Sequence, residues 1–350
     1  MKVIVDNKIP YIKGVIETLA DEVLYASGTD FTPDLIKDAD ALIIRTRTMC
    51  NEQLLKGSRV SFIATATIGF DHIDTDYCRK AGITWTNAPG CNASSVAQYI
   101  QSSLILLHQL KGKDPKNCTL GIVGVGNVGS KVAKMAQQLG MRVLLNDPPR
   151  QKSETGQKFD SLETLLQECD ILTFHTPLNR EGEYKTYHLA DEAFFHSLQH
   201  HPVIINTSRG EVIHTEALLK AIETGQVSDA IIDVWENEPD ISKPLLNKVF
   251  IGTPHIAGYS ADGKANATRM ALDAFCSHFR LQKDYTITPP SPENPIITAN
   301  TQEEAFLQMY DPRLDFKALK EHPENFEKLR GNYPLRRERE AYTVQLEKED

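Results

Sequence analysis

The chain has 350 residues, of which 41% are hydrophobic and 24% are charged, and its formal net charge is −9. This length is enough for two or three domains, and the composition is that of an ordinary globular protein. The negative charge argues against a nucleic-acid-binding surface, and no apolar run is long enough to predict a membrane span.

The six cysteines are scattered along the chain, and no two stand in a C-x-x-C pattern. We therefore expect reduced thiols, no disulfide framework and no metal site. The first ten residues read as a strand followed by a turn rather than as a signal peptide. Together these features predict a cytoplasmic protein.

Short apolar runs alternate with helical patterns in the N-terminal part of the chain. The predicted strands are Val3–Val5, Ala41–Ile44, Ser61–Thr65 and Thr84–Thr86. The predicted helices are Tyr11–Ala20 and Asn51–Lys56. Strands that alternate with helices indicate a parallel sheet with helices on its faces. A long amphipathic helix over Ser94–Leu110 and a polar turn over Lys111–Asn117 follow.

The segment from Leu120 to Asp147 has the pattern of a strand, a turn, a helix and a second strand. Its turn carries Gly124, Gly126 and Gly129 in the G-x-G-x-x-G spacing. Such glycines permit a tight turn, let the backbone approach a pyrophosphate and let the helix pack against the strand. A helix N-terminus favours an anion, so we also assign two residues of this turn to the dinucleotide site: Asn127 and Val128.

Asp147 stands at the end of the second strand of this segment. A carboxylate there accepts hydrogen bonds from ribose hydroxyls and repels the additional phosphate of NADP, which favours NAD. Arg150 keeps NADP open as an alternative, because its guanidinium is suited to pair with that phosphate.

The alternation continues after Asp147. Further strands are predicted at Ile171–Phe174, Val203–Asn206, Ala230–Val234 and Phe250–Ile251, and helices at Thr215–Thr224 and Ala265–Arg280. About six strands after Lys116 are typical of a doubly wound dinucleotide domain. The proline-rich stretch Thr288–Pro295 then reads as a linker. We interpret the charged remainder as a packing or oligomerisation appendage, with a partly disordered tail as the alternative.

Three polar segments follow predicted strands and carry Arg209, Glu238 and His255. Ligands bind beyond the carboxyl ends of the strands in open α/β sheets, so we expect these side chains to meet there. A guanidinium holds a carboxylate through two N–H bonds, and an imidazole exchanges a proton near neutral pH. Glu238 would orient His255. With a nicotinamide cofactor, this set predicts the oxidation of a 2-hydroxy acid or the reverse reaction.

At these residues the chain resembles the D-isomer-specific 2-hydroxyacid dehydrogenase family. The motifs VGVGNVG, NTSRG, DVWENEP and TPHIAGY carry the resemblance. It implies that Arg209, Glu238 and His255 are the substrate-binding and catalytic trio. Three further positions match cofactor contacts of the family: Thr176, Asp233 and Gly258.

The resemblance also implies an α/β fold with two doubly wound parallel-sheet domains, one flavodoxin-like and substrate-binding, the other Rossmann-type and NAD-binding, with a hinge that closes over the cofactor. We place the substrate-binding domain at residues 1–93 and 266–285 and the NAD-binding domain at 94–265. A small C-terminal α+β dimerisation domain is expected at residues 286–350.

Longer segments, among them TATIGFDHID, NDPPR and FEKLRGNYPLRRE, extend the resemblance to nearly the whole chain. They resemble one family member that acts on a phosphorylated sugar acid and forms a homodimer. Thr46, Thr67 and Tyr259 match its substrate contacts. This resemblance implies a small-molecule substrate and a homodimer.

A cationic turn in the N-terminal part of the chain supports a phosphorylated substrate. Arg45 and Arg47 follow the predicted strand Ala41–Ile44, and Thr46 and Thr48 add hydroxyl groups. Such a turn suits an anion, although surface ion pairs are the alternative for both arginines. The sequence therefore predicts an NAD-dependent dehydrogenase of a phosphorylated 2-hydroxy acid. A phosphoglycerate or glycerate dehydrogenase and a non-enzymatic NAD-sensing protein stay open as alternatives.

Overall fold

The computed structural model describes residues 1–156 and 158–347. Its strands, in chain order, are β1 (Lys2–Asp6), β2 (Glu22–Ala26), β3 (Ala41–Ile44), β4 (Phe62–Thr65), β5 (Thr84–Thr86), β6 (Thr119–Val123), β7 (Arg142–Asn146), β8 (Ile171–Phe174), β9 (Val203–Asn206), β10 (Asp229–Ile232), β11 (Ile251–Gly252), β12 (Ile296–Ala299) and β13 (Thr343–Leu346).

The α-helices, in chain order, are α1 (Pro33–Ile36), α2 (Glu52–Leu55), α3 (Thr75–Ala81), α4 (Ala93–Lys111), α5 (Asn127–Gln138), α6 (Pro148–Ser153), α7 (Leu162–Glu168), α8 (Glu192–His196), α9 (Thr215–Glu223), α10 (Lys243–Lys248), α11 (Ala261–Phe279), α12 (Gln302–Met309), α13 (Pro312–Glu321) and α14 (Phe326–Gly331). Within the described residues, no helix combines the length and hydropathy that a membrane crossing needs.

The chain divides into two compact units. The first consists of Met1–Asn92 and Ser260–Ser291, and the second consists of Ala93–Tyr259 together with the described chain from Pro292 onward. Each unit has its own parallel sheet.

The first unit contains a five-stranded parallel sheet in the order β2–β1–β3–β4–β5. Successive residues of a strand face opposite sides of a sheet, so Val3 and Ile4 belong to different apolar cores. Helix α11 covers the Val3 side with Leu272 and Phe275, whereas α1, α2 and α3 contribute buried residues to the Ile4 side. Helices on both faces make this a doubly wound α/β domain, as predicted.

The second unit contains a six-stranded parallel sheet in the order β11–β10–β9–β8–β6–β7. Helices α4 and α5 pack on one face through residues such as Tyr99 and Val132, and α9 packs on the other through Leu218. Strands β6 and β8 are neighbours although β7 lies between them in the chain, which makes their carboxyl ends the topological switch point. Ligands bind at this point in such sheets.

The C-terminal region of the second unit is folded rather than tail-like. Strands β12 and β13 form a parallel pair, and Ala305 and Met309 of α12 pack in a small core beside it. Leu319 and Phe326 are fully buried in a main core of the unit. The predicted α/β class with a small C-terminal α+β part is therefore confirmed.

One predicted helix is wrong. Residues 11–20 form only a short 3-10 turn at Ile16–Thr18, because Tyr11 and Gly14 have φ angles of 61° and 85° and a helix does not continue through that left-handed region. Strand β2 was not predicted, since none of its residues is fully buried and it carries no alternating pattern.

Candidate active site

The glycine turn follows β6, beside the switch point of the second unit. Gly124 has a φ of 89°, and a Cβ there would lie 2.7 Å from the His175 carbonyl oxygen. A Cβ at Gly129 would lie 2.0 Å from the Gly124 carbonyl oxygen. One at Gly126 would have no neighbour within 4 Å in the part of the chain that the structure describes. Two of the glycines are thus required by close backbone packing, and the third leaves room for a ligand.

The start of α5 is suited to a phosphate group. Gly126 precedes the helix, and no side chain in the described part of the chain caps it, so its first N–H groups are available to an anion. Thr176, which would contact a Cβ at Gly124, has a buried Oγ1 with no hydrogen-bond partner among the described residues. Because buried hydroxyls are normally paired, this orphaned atom fits a bound dinucleotide.

Asp147 is fixed by the turn that it supports. Its Oδ2 accepts the Val125 N–H at 2.8 Å, and its Oδ1 accepts the Arg150 N–H at 3.0 Å. Arg150 Nε and Nη2 each donate a hydrogen bond of 2.7 Å to the Glu154 carboxylate. Its Nη1 donates to the Val125 carbonyl. Arg150 is therefore engaged within the protein, which favours NAD over NADP.

Glu238 and His255 form a direct pair. His255 Nδ1 lies 2.8 Å from Glu238 Oε2, and Glu238 Oε1 accepts the Trp235 N–H at 2.9 Å. Burial alone would raise the pKa of Glu238, but the hydrogen bond and charge of His255, the Trp235 N–H and the charge of Arg330 together lower it. The carboxylate is therefore ionised where it faces the imidazole.

Asp233 anchors the turn that carries the imidazole. Its Oδ1 accepts bonds from the Thr253 hydroxyl at 2.7 Å and the Ile256 N–H at 2.8 Å, and its Oδ2 accepts the Ala257 N–H at 3.0 Å. Burial raises the pKa of Asp233, although these bonds and the charge of His255 oppose the shift. His255 itself has a φ of 57°. A non-glycine residue in this region is strained and persists only where its surroundings hold it.

Arg209 lies on the turn after β9. Asn206 shapes this turn, since its Oδ1 accepts the Ser208 N–H at 3.0 Å and its Nδ2 donates to the Arg209 carbonyl at 2.9 Å. Arg209 is partly exposed. A Cβ at Gly210 would lie 2.0 Å from the Trp235 carbonyl, so the two backbones are in close contact. The structure thus joins Glu238 and His255 directly and places Arg209 on the adjoining loop.

Gly258 and Tyr259 complete the turn after His255. The Tyr259 N–H donates to the Ile256 carbonyl at 2.8 Å, and its hydroxyl accepts a bond from Arg330 Nε at 3.1 Å. Arg330 was not predicted. It comes from the charged C-terminal region, where its residue type alone gives no signal.

Arg45, Thr46 and Thr67 belong to the first unit. Arg45 and Thr46 follow β3, and Thr67 follows the adjacent strand β4. Arg45 Nη1 donates to the Lys8 carbonyl at 3.3 Å, and the Thr46 side chain is exposed. The Thr67 hydroxyl lies 2.6 Å from that of Thr65. The first unit therefore presents a cation and hydroxyl groups at the carboxyl ends of two neighbouring strands.

Two protein-family models match parts of the second unit. Residues 93–257 match the family model described as D-isomer specific 2-hydroxyacid dehydrogenase, NAD binding domain. Residues 293–350 match a model described as a domain of unknown function, DUF3410. NAD is therefore the cofactor of this chain.

Full-length relatives define the family more narrowly. The chain is 66% identical over 348 residues to an erythronate-4-phosphate dehydrogenase of Bacteroides fragilis, covering 99% of this chain and 100% of that protein. It is 44% identical over 352 residues to the protein of the same name from Porphyromonas gingivalis, covering 98% and 95%. The structure of the NAD-bound 3-phosphoglycerate dehydrogenase of Entamoeba histolytica is similar with a TM-score of 0.63 and 27% identity, over 82% of this chain and 99% of that one. The chain belongs to the erythronate-4-phosphate dehydrogenase family, and its NAD-binding domain is that of the D-isomer-specific 2-hydroxyacid dehydrogenases.

Proposed function

We propose that this enzyme oxidises 4-phospho-D-erythronate to 2-oxo-3-hydroxy-4-phosphobutanoate, with NAD as acceptor and with Arg209, Glu238 and His255 as the catalytic residues. The observation that carries this assignment is the 2.8 Å contact between His255 Nδ1 and Glu238 Oε2. An ionised carboxylate only accepts hydrogen bonds, so Nδ1 carries the proton. Nε2 is then the nitrogen that exchanges a proton with the substrate.

Oxidation removes a proton from the C2 hydroxyl group and a hydride from C2. His255 Nε2 takes the proton, and Glu238 stabilises the imidazolium that results. Arg209 holds the substrate carboxylate through paired N–H bonds, which orients C2. When bound, NAD supplies the nicotinamide ring that accepts the hydride. In the reverse direction, His255 returns the proton to the carbonyl oxygen.

The proposed cofactor contacts belong to the second unit. The pyrophosphate is held at the start of α5 by Gly124, Gly126, Asn127, Val128 and Gly129. The ribose is held by Asp147, and the nicotinamide half is contacted by Thr176, Asp233 and Gly258. The uncapped helix N-terminus and the unpartnered Thr176 hydroxyl support this assignment.

The proposed substrate contacts beyond Arg209 are Arg45, Thr46, Thr67 and Tyr259. Arg45 supplies a positive charge, and the other three supply hydroxyl groups, which together suit a phosphate and the C3 hydroxyl group. The domain roles follow: residues 1–93 and 266–285 bind the substrate, and residues 94–265 bind NAD.

We also propose that the enzyme is a cytoplasmic homodimer, that residues 286–350 form its dimerisation domain and that it acts in vitamin B6 biosynthesis. Ile296 and Leu346 of the C-terminal strand pair are 57% and 45% exposed, which gives that pair an apolar surface suited to a second copy. The six cysteines are buried, and none forms a disulfide bond within the described residues, as expected in a reducing compartment.

A substrate panel tests the function. NADH formation is measured with 4-phosphoerythronate, 3-phosphoglycerate and glycerate, each with and without an added 2-oxo acid so that tightly held cofactor does not hide turnover. We expect the highest kcat/KM with 4-phosphoerythronate. Faster turnover of 3-phosphoglycerate or glycerate would replace the proposed substrate. NAD binding without turnover of any of these acids would favour a sensing protein instead.

A further inference from the structure

A buried arginine of the C-terminal region contacts the turn that carries His255. Arg336 is only 5% exposed, and its Nη2 donates to the Ala257 carbonyl at 2.5 Å and to the Ser95 hydroxyl. The Ser95 hydroxyl in turn donates to the Ala257 carbonyl at 2.9 Å. One carbonyl in this turn therefore receives two donors from elements far away in the chain.

Ala257 is also held through its N–H group, by Asp233. The Ala257 N–H donates to Asp233 Oδ2 at 3.0 Å, and the Ile256 N–H donates to Oδ1 at 2.8 Å. The residue directly before them, His255, has the strained φ of 57°. A strained residue keeps its conformation only when its neighbours are fixed. Fixing both sides of Ala257 therefore fixes the direction of the imidazole.

The guanidinium of Arg336 is buried with only part of its hydrogen-bonding capacity used. Its guanidinium lies 4.3 Å from the centre of the Tyr310 ring and 6.0 Å from that of Tyr333. Its Nε and Nη1 atoms are buried without a hydrogen-bond partner among the described residues. Burying a charge with unpaired donors is unfavourable. The two tyrosine rings and the charges of Asp315 and Asp233 favour the buried guanidinium. The hydrogen bonds of Nη2 are the contacts through which Arg336 reaches the turn.

A second arginine of the same region reaches the same turn. Arg330 Nε donates to the Tyr259 hydroxyl at 3.1 Å, and its guanidinium lies 5.8 Å from the centre of that ring. The two contacts reach Ala257 and Tyr259, on either side of Gly258. The C-terminal region thus supports the turn at two points.

We propose that Arg336 is a positioning residue for the dehydrogenase reaction: it holds the Ala257 carbonyl and thereby sets the conformation in which His255 meets the substrate. The inference rests on the proposed role of His255. Arg336 acts through the backbone of the turn and does not touch the reacting atoms. The C-terminal region then has a task within each subunit that is separate from any role in assembly.

The test compares Arg336→Met and Arg336→Lys with Arg339→Met. Arg339 is a matched control, because its Nη1 donates to the Tyr342 carbonyl at 2.8 Å within the C-terminal region itself. We measure kcat, KM for substrate, the NAD dissociation constant, the thermal midpoint and the mass in solution. We expect Arg336→Met to lower kcat about 10- to 100-fold, as misplaced catalytic groups do. NAD binding should change less than twofold. The kcat should be partly restored in Arg336→Lys, which keeps a positively charged hydrogen-bond donor. Arg339→Met should retain the kcat of the unmodified enzyme.

A merely structural role gives a different pattern. If Arg336→Met lowers the thermal midpoint but the folded enzyme, counted by NAD titration, keeps its kcat, the inference is wrong. If Arg336→Met does not fold, Ser95→Ala removes the other donor to Ala257 and should still lower kcat several-fold; an unchanged kcat there overturns the inference. The variant His255→Gln distinguishes a failure of the proposed function from a failure of the proposed role of Arg336. Retained turnover in His255→Gln contradicts the proposed function, whereas its loss together with a normal kcat in Arg336→Met contradicts only the role of Arg336.

Discussion

His255 Nδ1 and Glu238 Oε2 lie 2.8 Å apart, and the carboxylate is oriented by the Trp235 N–H on its other oxygen. A second pair of the same type occurs two residues away. Glu236 Oε1 lies 2.6 Å from His188 Nε2, and its Oε2 accepts the Thr215 N–H at 2.7 Å. The loop after β10 therefore supplies the carboxylates of two carboxylate–imidazole pairs. Only the pair with Glu238 includes the histidine that we assign to proton transfer.

This pairing predicts different effects for two equivalent substitutions. Glu238→Gln removes the charge that stabilises the imidazolium, so kcat should fall about 10- to 100-fold while NAD binding is retained. Glu236→Gln, the matched control, should lower the thermal midpoint but leave kcat within about twofold of the unmodified enzyme. Steady-state kinetics and thermal unfolding of both variants give the answer. Equal losses of kcat in the two variants would contradict the assignment of Glu238.

His175 predicts a loss of stability in acid. Burial lowers the pKa of His175 to about 3, from an ordinary value of 6.5. The folded chain therefore binds this proton less readily than the unfolded chain, so the stability contribution is complete above pH 6.5 and is lost as the pH falls toward 3. The free energy of unfolding can fall by at most about 1.4 kcal/mol per pH unit through this one group. The His175 side chain is only partly buried, so the actual loss should be smaller. We expect about 1 kcal/mol of loss from this group between pH 7 and pH 5.

The substitution His175→Gln tests this dependence. Gln keeps a polar atom near the Thr173 hydroxyl, which lies 3.0 Å from His175 Nε2, but it does not titrate. Urea unfolding at pH 7 and pH 5 should show a flatter pH dependence in His175→Gln. His196→Gln, at an exposed position on α8, is the control for the histidine-to-glutamine substitution itself. Parallel curves for His175→Gln and the unmodified protein would refute the prediction.

We expect cofactor preference to depend on the ion pair between Arg150 and Glu154, beside the glycine turn. Asp147→Ser should raise KM for NAD by about 10-fold, which corresponds to the loss of one charge-assisted hydrogen bond. It should bring little NADP activity, because Arg150 stays bound to Glu154 through two bonds of 2.7 Å. Adding Glu154→Gln removes the ion pair but not the bond of Arg150 to the Val125 carbonyl. The guanidinium charge is then available to a phosphate, so the double variant should use NADP better than Asp147→Ser does.

The control for this experiment is Glu183→Gln. It breaks the exposed ion pair of Glu183 with Lys152, which lies on α6 together with Arg150. Combined with Asp147→Ser, it should not improve the use of NADP. Initial rates with both cofactors at saturating substrate measure the effect. If the Glu183→Gln and Glu154→Gln double variants use NADP equally well, Arg150 does not govern the preference.

The local parts of the site were predictable from the sequence, and the parts that join distant segments were not. The glycine turn and Asp147 lie within one strand–helix–strand unit, so their spacing determines their geometry. Glu238 and His255 were predictable because both follow strands of one parallel sheet. Arg336 contacts Ala257 and Ser95, which lie 79 and 241 residues before it in the chain, and no periodicity relates such distant positions. The charged residues on either side of Arg336 form a sequence pattern that is typical of a solvent-exposed segment.

The errors in the predicted secondary structure have a similar cause. The predicted helix at residues 11–20 failed because left-handed conformations at Tyr11 and Gly14 depend on the surrounding chain. The edge strand β2 lacks a fully buried residue and therefore has little periodic signal. Arg150 was ambiguous because its residue type suits a phosphate, and only the structure shows its pairing with Glu154.

The glycine turn itself predicts a separation between folding and cofactor binding. A Cβ at Gly129 would lie 2.0 Å from the Gly124 carbonyl oxygen, whereas one at Gly126 would meet no atom of the described residues within 4 Å. Gly129→Ala should therefore destabilise the fold by about 1 to 3 kcal/mol or more, as overpacking does. Gly126→Ala should keep the stability of the unmodified protein but weaken NAD binding at least about 10-fold, because its methyl group projects where the pyrophosphate approaches. Gly331→Ala, at the exposed end of α14, is the control for both measurements. Urea unfolding without cofactor and NAD titration by fluorescence distinguish the variants. If Gly126→Ala binds NAD as tightly as Gly331→Ala does, the pyrophosphate does not lie against this turn.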